Sequence, residues 1–304
     1  MSIHSPIQYL TQKQIDKKKW DACIAGSSNG LIYGYSFYLD ALAMQWDALV
    51  LNDYEAVMPL TWNRKYGIKY LYQPPLTPQL GIFAVSPVTE KLIDGFIQQA
   101  NKHFRFAEIF LNYSNTHPAF TACRNYVLPL NNSYDSIRSS YKTNLRRNLK
   151  KAEQFAFRYV ENFNLQEALL LHQLQYSERT PHVKNEDYSH FEKLCMHLAQ
   201  KKEVLLRAIF DKENTLLAVT VLLFKKNRLY LIEPTTLEAG KNLQANHFLI
   251  DAIIQEFSGK DIIFDMVGSD IPGIAQFYRN FGCIEQPFYF YSNNNLPWPL
   301  RYLK

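Results

Sequence analysis

Apolar and polar positions along the chain fall into two alternating kinds of pattern. Short runs rich in β-branched and aromatic residues predict strands at 48–51, 54–62, 68–72, 107–111 and 126–130. Apolar positions three and four residues apart predict helices at 17–25, 37–45 and 88–103. The same order then recurs. Helices are expected at 165–180 and 188–200, strands at 204–210, 216–224 and 229–233, a helix at 243–257, a strand at 262–265, a helix at 272–281 and a strand at 288–291. Polar turns such as Asn52-Asp53 and Asp211-Lys212-Glu213-Asn214 separate the hairpins. Hairpins followed by a strand–helix–strand crossover, present twice, predict an α/β (α+β) fold. It would hold two tandem domains, each a mixed, mostly antiparallel sheet flanked by helices. Asn131-Asn132-Ser133 supplies turn chemistry for the joint, giving domains 1–131 and 132–304.

Composition supports a large core. Of the 304 residues, 47% are hydrophobic and 20% charged, which excludes global disorder. The 20 Tyr and 20 Phe suit pleated surfaces. No apolar run reaches the roughly 18 residues of a membrane span, and the first 19 residues lack the apolar core of a signal peptide. Cys23, Cys123, Cys195 and Cys283 form no Cys-x-x-Cys pair, so reduced thiols in a cytoplasmic protein are expected, and no metal site. The net charge of +5 is too small for a dedicated DNA binder but allows a local anion site.

The candidate chemistry concentrates near the C-terminus. The stretch 271–283 reads Ile-Pro-Gly-Ile-Ala-Gln-Phe-Tyr-Arg-Asn-Phe-Gly-Cys. Pro272 fits a first helical turn and Gly282 a left-handed stop. Ala275, Tyr278, Gly282 and Cys283 resemble the GNAT acyltransferase pattern, in which a helix ends beside an acyl thioester. That resemblance implies that Tyr278 protonates the departing thiolate, a reasonable match for a phenol of pKa about 10 and a thiol of about 8.5. Phe277 and Phe281, at i and i+4, read as core residues of the same helix.

Three further stretches resemble the Fem branch of that superfamily, whose members carry two GNAT-like domains. They are the Gln-Pro-rich run 72–82, the basic helix 142–153, and 264–269 with 277–282. Tyr278 stands where cell-wall Fem enzymes carry Lys, and Arg279 follows one place later. The GNAT pyrophosphate loop aligns with Gly240, Lys241, Asn242, Leu243, Gln244 and Ala245; Leu243 replaces a glycine, while Ala245 sits as expected. On this resemblance Gln244, Ala245, Asn246 and Arg279 are the expected donor-binding residues.

Charge patterning adds an anion site. Lys142, Arg146 and Lys150 share one helix face, with Arg147 and Lys151 beside them, and could grip a phosphate. Glu233 ends an apolar strand face and could take a proton from an amine. Asp265, at a strand end, and Tyr176, at a helix end, are expected to contact substrate. Glu178, Arg179 and His182 cluster beyond Tyr176. The expected function is N-acyl transfer from acyl-CoA, or another activated donor, to a small-molecule amine. The donor would be a co-substrate, with no tightly bound cofactor. Aminoacyl-tRNA-dependent transfer to a cell-wall precursor is the second expectation, and a non-catalytic ligand-binding GNAT pair the third.

Overall fold

In the computed structural model, which describes residues 7–176, 183–232, 234–268 and 270–302, the first unit builds outward from a long hairpin. A short β1 (Gln8–Leu10) pairs with β2 (Trp46–Leu51), which turns back into β3 (Ala56–Lys65). Strands β4 (Ile68–Leu71) and β5 (Phe83–Ala84) both pair with β3. Helices α1 (Lys17–Gly26) and α2 (Ser36–Leu42) precede β2. Helix α3 (Glu90–His103) crosses to β6 (Phe106–Leu111), which runs parallel to β4 at Leu71↔Ala107. Strand β7 (Thr121–Cys123) follows. Alternation in β6 is clean: Ala107, Ile109 and Leu111 are buried among Phe96, Phe104 and Met58.

The space beyond the parallel pair of the first unit is filled by the chain itself. Gln73 Oε1 accepts from the Phe110 N–H at 3.0 Å. Leu80 donates its N–H to the Phe110 carbonyl and accepts from the Asn112 N–H, both at 2.8 Å. Buried Asn29, Asn112 and Asn115 tie the carbonyls of Leu80 and Ile82 from below. Gly81 takes φ +88°, and a side chain there would strike Asn115 Oδ1.

The second unit repeats the plan. It contains β8 (Tyr126–Pro129), α4 (Tyr134–Ser139), α5 (Thr143–Ala152), β9 (Arg158–Val160), α6 (Leu165–Tyr176) and α7 (Asn185–Ala199). Then come β10 (Val204–Phe210), β11 (Leu216–Lys225), β12 (Arg228–Leu231), β13 (Thr235–Thr236) and α8 (Glu238–Lys241). Helix α9 (Ala245–Phe257), β14 (Ile263–Asp265), α10 (Pro272–Asn280) and β15 (Ile284–Glu285) complete it. The sheet order is β15-β8-β14-β12-β11-β10-β9, with β13 on β11. Among the described residues of this sheet, only β12 and β14 pair parallel, bridged by α9. The last strand, β16 (Phe288–Asn294), returns to the first sheet, whose order is β1-β2-β3-β4-β6-β16-β7 with β5 on β3. The two mixed, mostly antiparallel sheets flanked by helices are the architecture expected from the pattern.

The units comprise residues 1–123 with 287–304, and 124–286. This division differs from a joint at 131 in two strands. Leu128 pairs with Phe264 and enters the second core, whereas Tyr291 pairs with Ile109 and enters the first. Periodicity marks both as strands but carries no information on which sheet they join.

Candidate active site

Two parallel strands part company in the second unit, and a cleft opens where they do. The β12–β14 register ends at Tyr230↔Asp265. Beyond it, the Ile232 N–H donates to the Val221 carbonyl on β11, and the Met266 N–H to the Tyr126 carbonyl on β8. Each strand thus follows its other neighbour. A cleft of about 190 Å3 lies beyond the ends of this pair, between α9 and α10, the usual place for a ligand in an open α/β sheet. Leu231, Ile250, Ile274 and Phe277 supply its apolar walls, and Tyr176, Thr236, Asn246 and Tyr278 its polar points.

Tyr278 sits on α10 because Pro272 starts that helix and Gly282, at φ +80°, ends the turn that follows. Its ring, 7% exposed, lies 6.1 Å from Tyr126 and 5.6 Å from Phe277. Its hydroxyl has no hydrogen-bond partner among the described residues. Burial, aided by Cys283, Asp265 and Tyr176 nearby, pushes the phenol above the usual tyrosine range, so it stays protonated at neutral pH.

Helix α9 begins without a side-chain cap. Gln244 holds the N-cap in a left-handed conformation, φ 64° and ψ 26°, and the first turn carries no acid. Its first amide groups and the positive end of its dipole are therefore available to an anion. Ala245 is fully buried against the core, and Gly240 packs so closely on β11 that a Cβ would meet the Leu217 carbonyl at 2.3 Å. Leu243 turns its side chain onto the core. Asn246 lines the cleft, and its Oδ1 is buried with no partner among the described residues. An unsatisfied buried acceptor facing a cleft calls for a donor N–H.

Helix α5 packs along α9 through Leu145, Leu149 and Ala152. Asn148 Nδ2 lies 3.3 Å from His247 Nε2, while His247 meets the Phe277 ring edge-on at 4.9 Å. Burial pushes His247 down to about 4, so it is neutral at pH 7. The cations expected on this helix are exposed: Lys142 at its N-cap, then Arg146, Arg147 and Lys150. None of them forms an ion pair among the described residues. Deeper down, Asp251 accepts from the hydroxyls of Tyr134 at 2.8 Å and Tyr141 at 2.9 Å, which anchors α9 to the segment before α5.

The structure thus gathers Tyr176, Asn246 and Tyr278 in one cleft, with Gln244 and Ala245 at its edge. It places Asp265 and Arg279 elsewhere. Asp265 is 1% exposed and fully engaged by Arg228 Nε, Asn125 Nδ2 and the Val267 N–H. Arg279 lies over Tyr126 and reaches Gln276. Glu233, Glu178, Arg179 and His182 lie outside the described residues. His247 and the cleft-lining role of Phe277 were not read from the sequence; the i, i+4 spacing that marks Phe277 as core cannot tell a core wall from a cleft wall.

Residues 139–275 match the family described as the acetyltransferase (GNAT) domain. No curated protein sequence matches the chain. Among solved structures, FemX is 12% identical with a TM-score of 0.68, covering 98% of this chain and 99% of FemX. L-PGS from Bacillus licheniformis is 12% identical at a TM-score of 0.53, over 95% of both chains. The tandem GNAT protein from the clavulanic acid biosynthesis pathway is 9% identical at 0.52, covering 96% of this chain and 99% of its own. Among the described residues, no helix is long and apolar enough to cross a membrane. The cleft lies inside the matched segment except for its Phe277–Tyr278 edge, so the cleft-bearing segment 139–275 is similar to the acetyltransferase (GNAT) domain, and the chain shares its fold with FemX and the tandem GNAT protein.

Proposed function

We propose that the second unit is an N-acyltransferase that moves an acyl group from acyl-CoA, or another activated donor, to a small-molecule amine in the cytoplasm. The observation that carries this reading is the Tyr278 hydroxyl, protonated and without a partner among the described residues, in a cleft that also meets the uncapped start of α9. The residues fit such a donor. The α9 amides suit a phosphate, the Asn246 Oδ1 suits an amide N–H, and Leu243 is turned out of the way. In this reaction the amine nitrogen attacks the acyl carbon and the bond to the leaving group breaks. Tyr278 gives its proton to the leaving atom, and the amine proton passes to Glu233 or to water. Holding both substrates in one cleft would supply much of the acceleration. Four free cysteines are consistent with a reducing compartment.

A second reading keeps the site and makes the donor an aminoacyl-tRNA ester. Two observations favour it. The exposed cations of α5, a helix that packs on α9, have no acidic partner among the described residues. A phenol raised above its usual range is also a closer match to an alkoxide than to a thiolate.

Acetyl-CoA, longer acyl-CoAs and charged tRNA, each offered with a panel of amines, separate the readings. Turnover with acyl-CoA that falls in Tyr278→Phe, with donor affinity kept, is the expected result. Turnover unchanged in that variant sinks the role of Tyr278. Failure to bind any donor would leave the third expectation, a non-catalytic binding pair.

A further inference from the structure

A second cavity is distinct from the acyl cleft. It lies in the first unit, holds about 290 Å3, and shares no lining residue with that cleft. It sits on the face of the sheet opposite the first core. Alternation explains its floor: with Leu71 and Ala107 turned into the core, Ile68, Tyr70 and Phe106 point the other way. Tyr70 and Phe106 meet edge-on with centroids 6.3 Å apart. The residues after β16 fold over this floor, so that Leu300 faces it, and the Arg301 carbonyl is held by Asn294 Nδ2 at 3.2 Å.

The rim is charged. Lys65, from the end of β3, and Arg301, from the covering segment, both line the cavity. Neither makes an ion pair among the described residues; the Lys65 ammonium lies 5.5 Å above the Tyr66 ring. Glu108, on the floor beside Phe106, disfavours a second negative charge there and leaves the cations as the seat for one. Aromatic floor, apolar cover and two cations among the lining residues complement a flat apolar body that ends in a single anionic group.

We propose that the first unit carries a second ligand site for a small amphipathic anion, with a ring or short chain on Tyr70 and Phe106 and a carboxylate, sulfonate or phosphate between Lys65 and Arg301. The site is independent of the acyl-transfer reading, since it uses none of the same residues. Fluorescence titration with anilinonaphthalene sulfonate, against its uncharged relative N-phenyl-1-naphthylamine, tests it in the full chain. The wild type should bind the sulfonate saturably. The Lys65→Ala, Arg301→Ala double variant should bind it about tenfold more weakly, a loss of about 1.4 kcal/mol, with unchanged affinity for the neutral probe. Lys65→Arg with Arg301→Lys should keep the sulfonate affinity. Filling the floor with Ile68→Trp should remove the site for both probes. Sulfonate binding equal in wild type and double Ala variant, equal loss of both probes in that variant, or binding untouched by Ile68→Trp would each overturn the proposal. All three side chains are at least partly exposed, and a folded thermal transition confirms that each variant is comparable.

Discussion

The two units share one plan and differ at one place. Among the described residues, each sheet has one parallel pair of strands bridged by a crossover helix: β4 with β6 across α3, and β12 with β14 across α9. In the first unit the ground beyond the pair is occupied. Gln73 and Leu80 take the edge of β6, and three buried asparagines hold the Leu80 and Ile82 carbonyls in place. In the second, the strands part and leave a cleft. The crossover helices differ in the same sense. Thr89 caps α3 by accepting from the Leu92 N–H, with Glu90 in its first turn, whereas α9 starts on an uncapped Gln244. At this place the first unit is closed and capped, and the second is open and uncapped, as the proposed donor site requires. The difference between the two copies lies in a short loop and a cap.

The comparison can be attacked from either side. Trp20, Trp46, Trp62 and Trp298 all belong to the first unit, so tryptophan fluorescence follows its unfolding and circular dichroism follows both. Asn112→Ala strips the plug of a side chain that is fully buried and bonded to Leu80, Ile82, Asn29 and Asn115. It should cost the first unit about 3 kcal/mol in denaturant titration by fluorescence, with turnover per folded molecule unchanged. Tyr278→Phe should do the reverse. It should lower kcat about 100-fold, near 2.7 kcal/mol, leave KM alone and leave the fluorescence midpoint where it is.

Acid should act on the second unit through His247. Its folded pKa of about 4 lies below the unfolded value of about 6.5. The neutral ring therefore contributes stability fully above pH 6.5, and that contribution is lost as pH falls toward 4. Between pH 7 and pH 5 the loss should be about 2 kcal/mol in the dichroism transition and absent in His247→Gln. The smallest effect belongs to α5. Arg146→Ala with Arg147→Ala should weaken a phosphate-bearing donor about fivefold, near 1 kcal/mol, and the difference should shrink in high salt.

Much of this was legible from residue patterns. The hairpins, both crossover helices and α10 follow from period-2 and period-3.6 spacing, and Tyr278 from its place between Ala275 and Gly282. What was not legible depends on partners far away in sequence. Strands β8 and β16 read as strands, but only the pairs Leu128↔Phe264 and Tyr291↔Ile109 decide their sheets. Asp265 and Arg279 show a charge at an element's end; the partners that occupy them, Arg228 and Tyr126, lie outside any local window. His247 gave no signal, because its environment comes from Asn148 and Phe277. Strands as short as β5, β13 and β15 carry too few residues for periodicity to register.

Hydrogen–deuterium exchange with and without saturating acetyl-CoA reads the open and closed copies in one experiment. Protection should appear in peptides covering 228–250 and 272–280, at the parted strands and the start of α9. Peptides covering 72–82 and 106–112 should exchange equally in both states. Protection confined to the first unit, or protection in neither, would contradict the assignment of the cleft beside Tyr278 as the donor site.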